Sequence, residues 1–229
     1  MIGSTWKKWD LHVHSPATYG GEYKDFISNL EKSEADVIGI NDYCTVAGYE
    51  AVISAGGVKN KVIFPVVEFR MNNIVLNRND PKSKNGTRIN FHIIFDNSSE
   101  ILARIKNWLN SLRCFTEGGE EEQFCNLSAD TDPLKISFDF IKVVESLEKD
   151  TVLRKSSLIL LPYDEYGGID NIDPDNDAYF KMGLINKTDF IGSSNKKQID
   201  FFLWENDKHS AEQISKWLNN KKYPCLKGS

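Results

Sequence analysis

The strongest chemical signal in the sequence is the segment Asp10-Leu11-His12-Val13-His14. Alternate residues of a β-strand point to one face, so a strand here would place the two imidazoles side by side with Asp10 behind them. Two imidazoles in that arrangement can share one metal ion. A short H-x-H motif also occurs by chance, as partly buried polar residues at a strand end, so its interpretation depends on the rest of the chain.

Further potential ligands lie in or just after other apolar runs: Asp42, Glu68 and His92. In a βα barrel the carboxyl ends of the strands meet on one rim, so residues distant in sequence would come together there. Three of the four histidines are placed in this way. Neutral imidazoles with a carboxylate suit Zn, Mn or Fe, and a glutamate between two ions can bridge them.

Short apolar runs alternate with amphipathic stretches along the chain. This alternation predicts an α/β fold of repeated βα units that would position these residues. Predicted strands cover residues 9–14, 36–40, 62–69, 89–95, 158–162 and 189–192, and a last strand begins at 224–226. Predicted helices cover residues 26–35, 47–55, 100–112, 138–147, 198–204 and 211–218. Polar insertions are expected at 78–86 and at 116–131, the second as a mobile loop or a partner-facing excursion.

The composition limits the classes of protein to which this chain can belong. The 229 residues suffice for one domain, and a net charge of −5 excludes a global positive field that would collect nucleic acid. The four cysteines have no C-x-x-C spacing, which argues against a zinc knuckle or a disulfide framework and favours the cytoplasm. A signal peptide and an apolar run long enough for a membrane span are both missing from the sequence, so no membrane association is predicted.

The successive motifs resemble those of the PHP (polymerase and histidinol phosphatase) domains over essentially the whole chain; they are Asp10-Leu11-His12-Val13-His14, Ile40-Asn41-Asp42-Tyr43-Cys44-Thr45, Val67-Glu68-Phe69 and His92. The resemblance implies a distorted (β/α)7 barrel that binds metal ions at its rim and hydrolyses phosphoesters. It assigns His12, His14 and Glu68 to a first ion, and Glu68 and His92 to a second. These four residues form the predicted catalytic set.

The sequence departs from the family pattern in three places. The family's Gly-Ser-Asp-x-His-like motif would start where the chain ends, at Lys227-Gly228-Ser229, so we expect an N-terminal piece of a longer protein without the last barrel element. Tyr43 follows the predicted ligand Asp42 where the family often has a histidine, and a protonated phenol binds metals poorly, so one or two ions are expected. The family often has a further histidine at the end of the later apolar strand, and this sequence has Asp164 and Glu165 near that position instead. Asp164 is the predicted oxygen ligand, Glu165 can serve equally, and both can be ordinary loop acids.

Arg70 lies two residues after Glu68 and therefore on the same strand face. Its planar guanidinium could grip a substrate phosphate. The alternative is an exposed arginine in an ordinary ion pair.

The resemblance implies a metal-dependent phosphoesterase, with a nuclease that hydrolyses DNA or RNA as the leading interpretation. It extends to a subgroup that carries a C-terminal SMC-like or AAA-like ATPase region, some members of which are associated with bacterial anti-phage defence. The chain itself contains no phosphate-binding G-x-x-x-x-G-K-[ST] loop. A catalytically degenerate module with a structural or partner-binding role is the alternative, and a phosphomonoesterase is a third. The oligomeric state stays open.

Overall fold

The computed structural model describes residues 7–75, 86–128, 130–173 and 177–226. The insertion predicted at 78–86 therefore lies almost entirely outside the described residues, as do Lys227-Gly228-Ser229. Nine strands occur within the described ranges. They are β1 (Trp9–Val13), β2 (Val37–Tyr43), β3 (Val62–Val75), β4 (Thr87–Phe95), β5 (Arg113–Phe115), β6 (Glu121–Gln123), β7 (Ser157–Pro162), β8 (Phe190–Gly192) and β9 (Cys225–Leu226).

Six of the described helices lie close to the predicted amphipathic stretches, and three were not predicted: two short ones and the nine-residue helix Ala178–Asn186. They are α1 (Pro16–Tyr19), α2 (Tyr23–Lys32), α3 (Ala47–Ser54), α4 (Ser99–Ser111), α5 (Phe140–Lys149), α6 (Thr151–Lys155), α7 (Ala178–Asn186), α8 (Lys196–Phe202) and α9 (Ala211–Trp217). Side-chain caps fix several starts: Asp139 accepts from the N–H of Lys142, and Ser210 forms a capping box with Gln213. No helix in the described ranges combines the length and the hydrophobicity that crossing a bilayer requires.

Seven strands form one sheet in the order β1-β2-β3-β4-β7-β8-β9. The sheet is curled like a half barrel, because Leu11 on edge strand β1 and Leu226 on edge strand β9 pack in the same apolar cluster as Val66, Ile94 and Phe190. The α/β class is confirmed.

Strand β4 departs from the expected parallel arrangement. It runs antiparallel to both β3 and β7, whereas the other neighbouring pairs of the sheet are parallel. The prediction that all ligand-bearing strands present their carboxyl ends to one rim is wrong for β4. Alternating hydrophobicity determines which side chains face the core but leaves strand direction undetermined.

The segment predicted as an irregular insertion at 116–131 is partly ordered. Residues Glu121–Gln123 pair with Arg113–Phe115 as a two-stranded antiparallel sheet, and a 3-10 turn follows at Phe124–Asn126. Its acidic, exposed composition concealed the strand, because a short solvated pair has no buried face to produce an alternating pattern.

The alternation along β3 positions the chemistry. Val67, Phe69 and Met71 belong to the large core cluster between the sheet and its helices, whereas Val66 belongs to the concave-side cluster. Because neighbouring residues of a strand point to opposite faces, Glu68 shares the concave face with Val66. Burial of Phe69 in contact with Phe91 and Phe138 holds the strand in that orientation.

Candidate metal centre

Three imidazoles surround the carboxylate of Glu68. Its Oε2 atom lies 3.4 Å from Nε2 of His12, 3.4 Å from Nε2 of His14 and 4.0 Å from Nδ1 of His92. Glu68 is 1% exposed, so bulk water does not compete for this carboxylate. The structure thus brings together four of the predicted site residues around one oxygen atom.

Two strand features bring these groups to one place. His12 lies in β1 and His14 directly follows it, with a register irregularity between Asp10 and Val13, and the two imidazole centroids are 5.1 Å apart. His92 reaches the site from within antiparallel β4, where it pairs directly with Glu68 of β3. Cross-strand pairing, rather than a shared carboxyl end, delivers the fourth residue.

Two buried asparagines hold the Glu68 carboxylate from both sides. Nδ2 of Asn41 donates to Oε2 at 2.7 Å, and Nδ2 of Asn90 donates to Oε1 at 2.6 Å. Oδ1 of Asn41 also lies 3.3 Å from Nδ1 of His92. The sequence analysis gave neither asparagine a role. A signal was present, since Asn90 precedes His92 by two residues and so shares its strand face.

The donor set fits a divalent metal ion. Ligand atoms of His12, Glu68 and His92 all lie within 4.8 Å of one another, and they are the only such group in the described part of the chain. Two ligand atoms about 2.1 Å from a shared ion in tetrahedral geometry stand about 3.4 Å apart, which matches the separations of His12 and His14 from Glu68. Imidazole and carboxylate donors suit Zn, Mn or Fe.

Of the two acids after β7, Glu165 borders this cluster. Its Oε2 lies 3.4 Å from Nδ1 of His12, whereas Oδ2 of Asp164 accepts a hydrogen bond from Oγ of Ser193 at 3.4 Å. A carboxylate on the outer nitrogen of a ligating histidine fixes the tautomer and leaves the other nitrogen for the metal. The geometry therefore places Glu165, rather than Asp164, beside the cluster.

The Asp42 carboxylate is occupied by the turn that follows His14. Oδ1 accepts from the N–H of Ser15 at 3.0 Å and from Oγ1 of Thr18 at 2.6 Å, and Oδ2 accepts from Oγ of Ser15 at 2.7 Å. Gly48 packs so tightly behind them that an added Cβ would overlap both Ser15 and Asp42. Asp42 is not a member of the clustered ligand group. In this structure it positions the chain beside His14.

Two tyrosines enclose the ring of His14. The Tyr43 ring stacks on it with centroids 5.3 Å apart and planes 16° from parallel, and Tyr19 meets it edge-on at 5.0 Å. The Tyr43 hydroxyl accepts a hydrogen bond from Nδ2 of Asn90 at 3.4 Å. Where the resemblance leads one to expect a metal-binding histidine, the phenol instead packs against the imidazole of His14.

Arg70 is anchored near the site. One terminal nitrogen, Nη1, donates to the carbonyl oxygen of Leu134 at 2.7 Å, and in the sheet register Arg70 lies opposite Asn90. Burial raises the pKa of Tyr19, and the charge of Arg70 acts on that pKa in the opposite direction. Arg70 thus supplies positive charge near the cluster. Its phosphate-binding role stays a prediction.

The three histidines of the cluster differ in the direction in which their pKa values are shifted. Burial disfavours protonation of His12, but the hydrogen bonds and charges of Glu165 and Glu68 outweigh it and raise its pKa to about 9. Burial lowers the pKa of His92 to about 4 and also lowers the pKa of His14. Burial alone would raise the pKa of Glu68, yet the three imidazoles lower it to about 2. The carboxylate is therefore anionic and two imidazoles are neutral, as metal ligands require.

No protein-family model and no protein of curated function matches the chain. Among solved structures, the chain is similar to a crystal structure from Bifidobacterium adolescentis, provisionally described as a metal-dependent phosphoesterase. The sequence identity is 13% and the TM-score 0.47, with 97% of this chain and 87% of the other covered. A likeness of this degree does not assign a function, so the functional argument rests on the site itself.

Proposed function

We propose that this protein is a metal-dependent phosphoesterase, and specifically a nuclease that hydrolyses phosphodiesters of DNA or RNA. The convergence of three imidazoles on the buried Glu68 carboxylate is the observation that carries the proposal. A buried carboxylate is costly unless it is paired or coordinates a cation, and of the three imidazoles around Glu68 only His12 has a raised pKa. The resemblance to PHP domains in the order of these residues supplies the reaction class.

The proposed ligands are His12, His14, Glu68 and His92, with Glu68 shared where two ions bind. An ion bound there supplies Lewis acidity, polarising the phosphoryl group and making a water molecule a stronger nucleophile near neutral pH. Glu165 contacts Nδ1 of His12 and so leaves Nε2, the nitrogen that faces Glu68, for an ion. Asn41 contacts Nδ1 of His92 and donates to Oε2 of Glu68, so it positions these two residues relative to each other. Arg70 is proposed to hold a phosphate oxygen of the substrate. Asp42 and Asp164 keep their predicted ligand roles only as proposals, because their observed hydrogen bonds point elsewhere.

Three wider features of the proposal rest on the resemblance and composition alone. They are control by a C-terminal ATPase region, a role in anti-phage defence, and a cytoplasmic location. The last agrees with the free state of all four cysteines, Cys44, Cys114, Cys125 and Cys225.

The test is hydrolysis by the purified chain after loading with Mn or Zn. Single-stranded and duplex nucleic acid and chromogenic phosphomonoesters and phosphodiesters are assayed side by side, with His92→Ala as the inactive variant and His209→Ala as the matched control. Cleavage of nucleic acid that only His92→Ala abolishes supports the proposal. Metal binding without hydrolysis of any substrate contradicts it and favours the degenerate, partner-binding module. Hydrolysis confined to monoesters favours the phosphomonoesterase.

A further inference from the structure

Tyr19 presents an exposed aromatic ring at the edge of the candidate metal centre. Its side chain is 67% exposed, although its ring contacts the imidazole of His14. It is the last residue of α1, whose start is fixed by Pro16 and by the Ser15 cap. The Asp42 carboxylate holds Ser15 and Thr18 in place. The ring therefore extends from an anchored turn.

Tyr166 presents a second exposed ring near the cluster, and 73% of it is accessible. Its chain neighbours are both tied to the site. The Glu165 carboxylate lies 3.4 Å from His12, and the carbonyl oxygen of Gly167 accepts from the N–H of Asn90 at 2.8 Å. Gly167 has φ +69°, and an added Cβ would lie 2.7 Å from Cγ of Asn90, so the turn requires glycine. Tyr166 thus extends from a turn that is fixed at both ends.

The two rings belong to segments that contact neighbouring imidazoles. Tyr19 itself contacts His14, Glu165 next to Tyr166 contacts His12, and the centroids of those two imidazoles are only 5.1 Å apart. Large aromatic side chains that are exposed beside the candidate metal centre do not gain the free energy that burial would provide. A planar ligand that stacks on them would recover part of it. Arg70, which lies opposite Asn90 in the sheet register and two residues after Glu68 on β3, supplies a positive charge near the cluster, and this favours an anionic ligand.

We propose that Tyr19 and Tyr166 form a base-stacking subsite that selects single-stranded nucleic acid, with unpaired bases on either side of the phosphodiester stacked against these rings. This inference rests on the proposed function and deepens it by naming the substrate class. Base stacking on aromatic rings is tolerant of sequence, because every base has a π-face. Bases inside a duplex are already stacked on one another and cannot reach side chains at the rim, so duplexes are poor ligands.

The test compares two fluorescent strands of about 12 nucleotides, a length within the range that such grooves bind. One is oligothymidylate and the other is an abasic strand of equal charge, both with phosphorothioate linkages so that they remain intact. Fluorescence anisotropy gives the affinity of the metal-loaded chain for each strand. The wild type is expected to bind the thymidylate at least about tenfold more tightly than the abasic strand, since each stacked base contributes about that much.

Substitutions test which residues cause the preference for the strand that carries bases. Tyr19→Ala and Tyr166→Ala should each reduce the preference for thymidylate about 5- to 100-fold, up to its complete loss, while Tyr19→Phe and Tyr166→Phe retain it because the ring remains. Tyr179→Ala is the matched control, because Tyr179 is 96% exposed on helix α7 and has no contact with the cluster. Thermal melting confirms that each variant folds.

Equal affinity of the wild type for the two strands, including a failure to bind either, overturns the proposal. A preference for thymidylate that is unchanged in both alanine variants also overturns the proposal. The measurement requires no hydrolysis, so a chain that prefers bases but cleaves nothing contradicts only the proposed activity. A chain that cleaves nucleic acid without preferring bases contradicts only the subsite.

Discussion

Glu68 lies directly opposite His92 in the antiparallel pair formed by β3 and β4, with Oε2 of Glu68 4.0 Å from Nδ1 of His92. This register joins two proposed ligands that are far apart in sequence. A shift of one residue would turn both side chains to the opposite face of the sheet. The core residues Phe69 and Phe91, which stack with centroids 4.9 Å apart, oppose each other next in the register and resist that shift.

Replacing a proposed ligand should remove the metal without unfolding the protein. His12→Ala deletes one of two imidazole nitrogens 3.4 Å from Glu68, so bound metal should fall towards zero in elemental analysis after dialysis. His209→Ala is the matched control, since His209 contacts Trp217 and lies outside the cluster. Equal metal content in the two variants would refute the site.

The asparagine that bridges two proposed ligands should matter for affinity. Asn41→Ala removes hydrogen bonds to both Glu68 and His92, and we expect metal affinity to fall about 10- to 100-fold in isothermal titration. Asn97→Ala serves as the control, because the side chain of this exposed residue donates to the carbonyl oxygen of Ile63. Unchanged affinity in Asn41→Ala would show that the bridge does not position the ligands.

Metal affinity should depend on pH through His12. Its pKa is raised to about 9, against burial, by Glu165 and Glu68, so at lower pH a metal ion must displace its proton. Affinity for Mn should therefore rise by about tenfold per pH unit up to about pH 9 and then level off. His92, whose pKa burial lowers to about 4, is already neutral across this range.

The variant Glu165→Gln tests the cause of this dependence. It removes a carboxylate that raises the pKa of His12, so the plateau in Mn affinity should begin at lower pH than in the wild type. A plateau at the same pH in both proteins would mean that Glu165 does not control the protonation of His12.

The packing behind the His14 turn should tolerate no side chain at Gly48. Gly48→Ala places a Cβ on top of Oγ of Ser15 and Oδ2 of Asp42, and we expect a loss of about 1–3 kcal/mol in the free energy of unfolding. Gly183→Ala is the matched helical control, since nothing lies within 4 Å of its Cβ and alanine favours helix by up to about 1 kcal/mol. Urea denaturation curves of both variants decide the point.

The α/β class, most of the helices and strands, and the four residues of the candidate metal centre could be predicted from the sequence alone. These depend on local patterns: strands as apolar as β2, which is buried throughout, and the two-residue spacing of His12 and His14 leave strong periodic signals. Helix ends carried similar local signals, such as the glycine at position 56 after α3. In the structure Gly56 has a positive φ, which glycine adopts readily.

Three features are evident only in the folded chain: the direction of β4, the position of Glu165 rather than Asp164 beside His12, and the use of Asp42 as an anchor for Ser15 and Thr18. The structure also revealed that Asn41 and Asn90 hold the carboxylate. The physical reason is that each of these facts is a contact between residues distant in the chain, set by strand register and by loop packing. Composition and periodicity record which side chains are buried, but they do not record which partner each buried polar group finds.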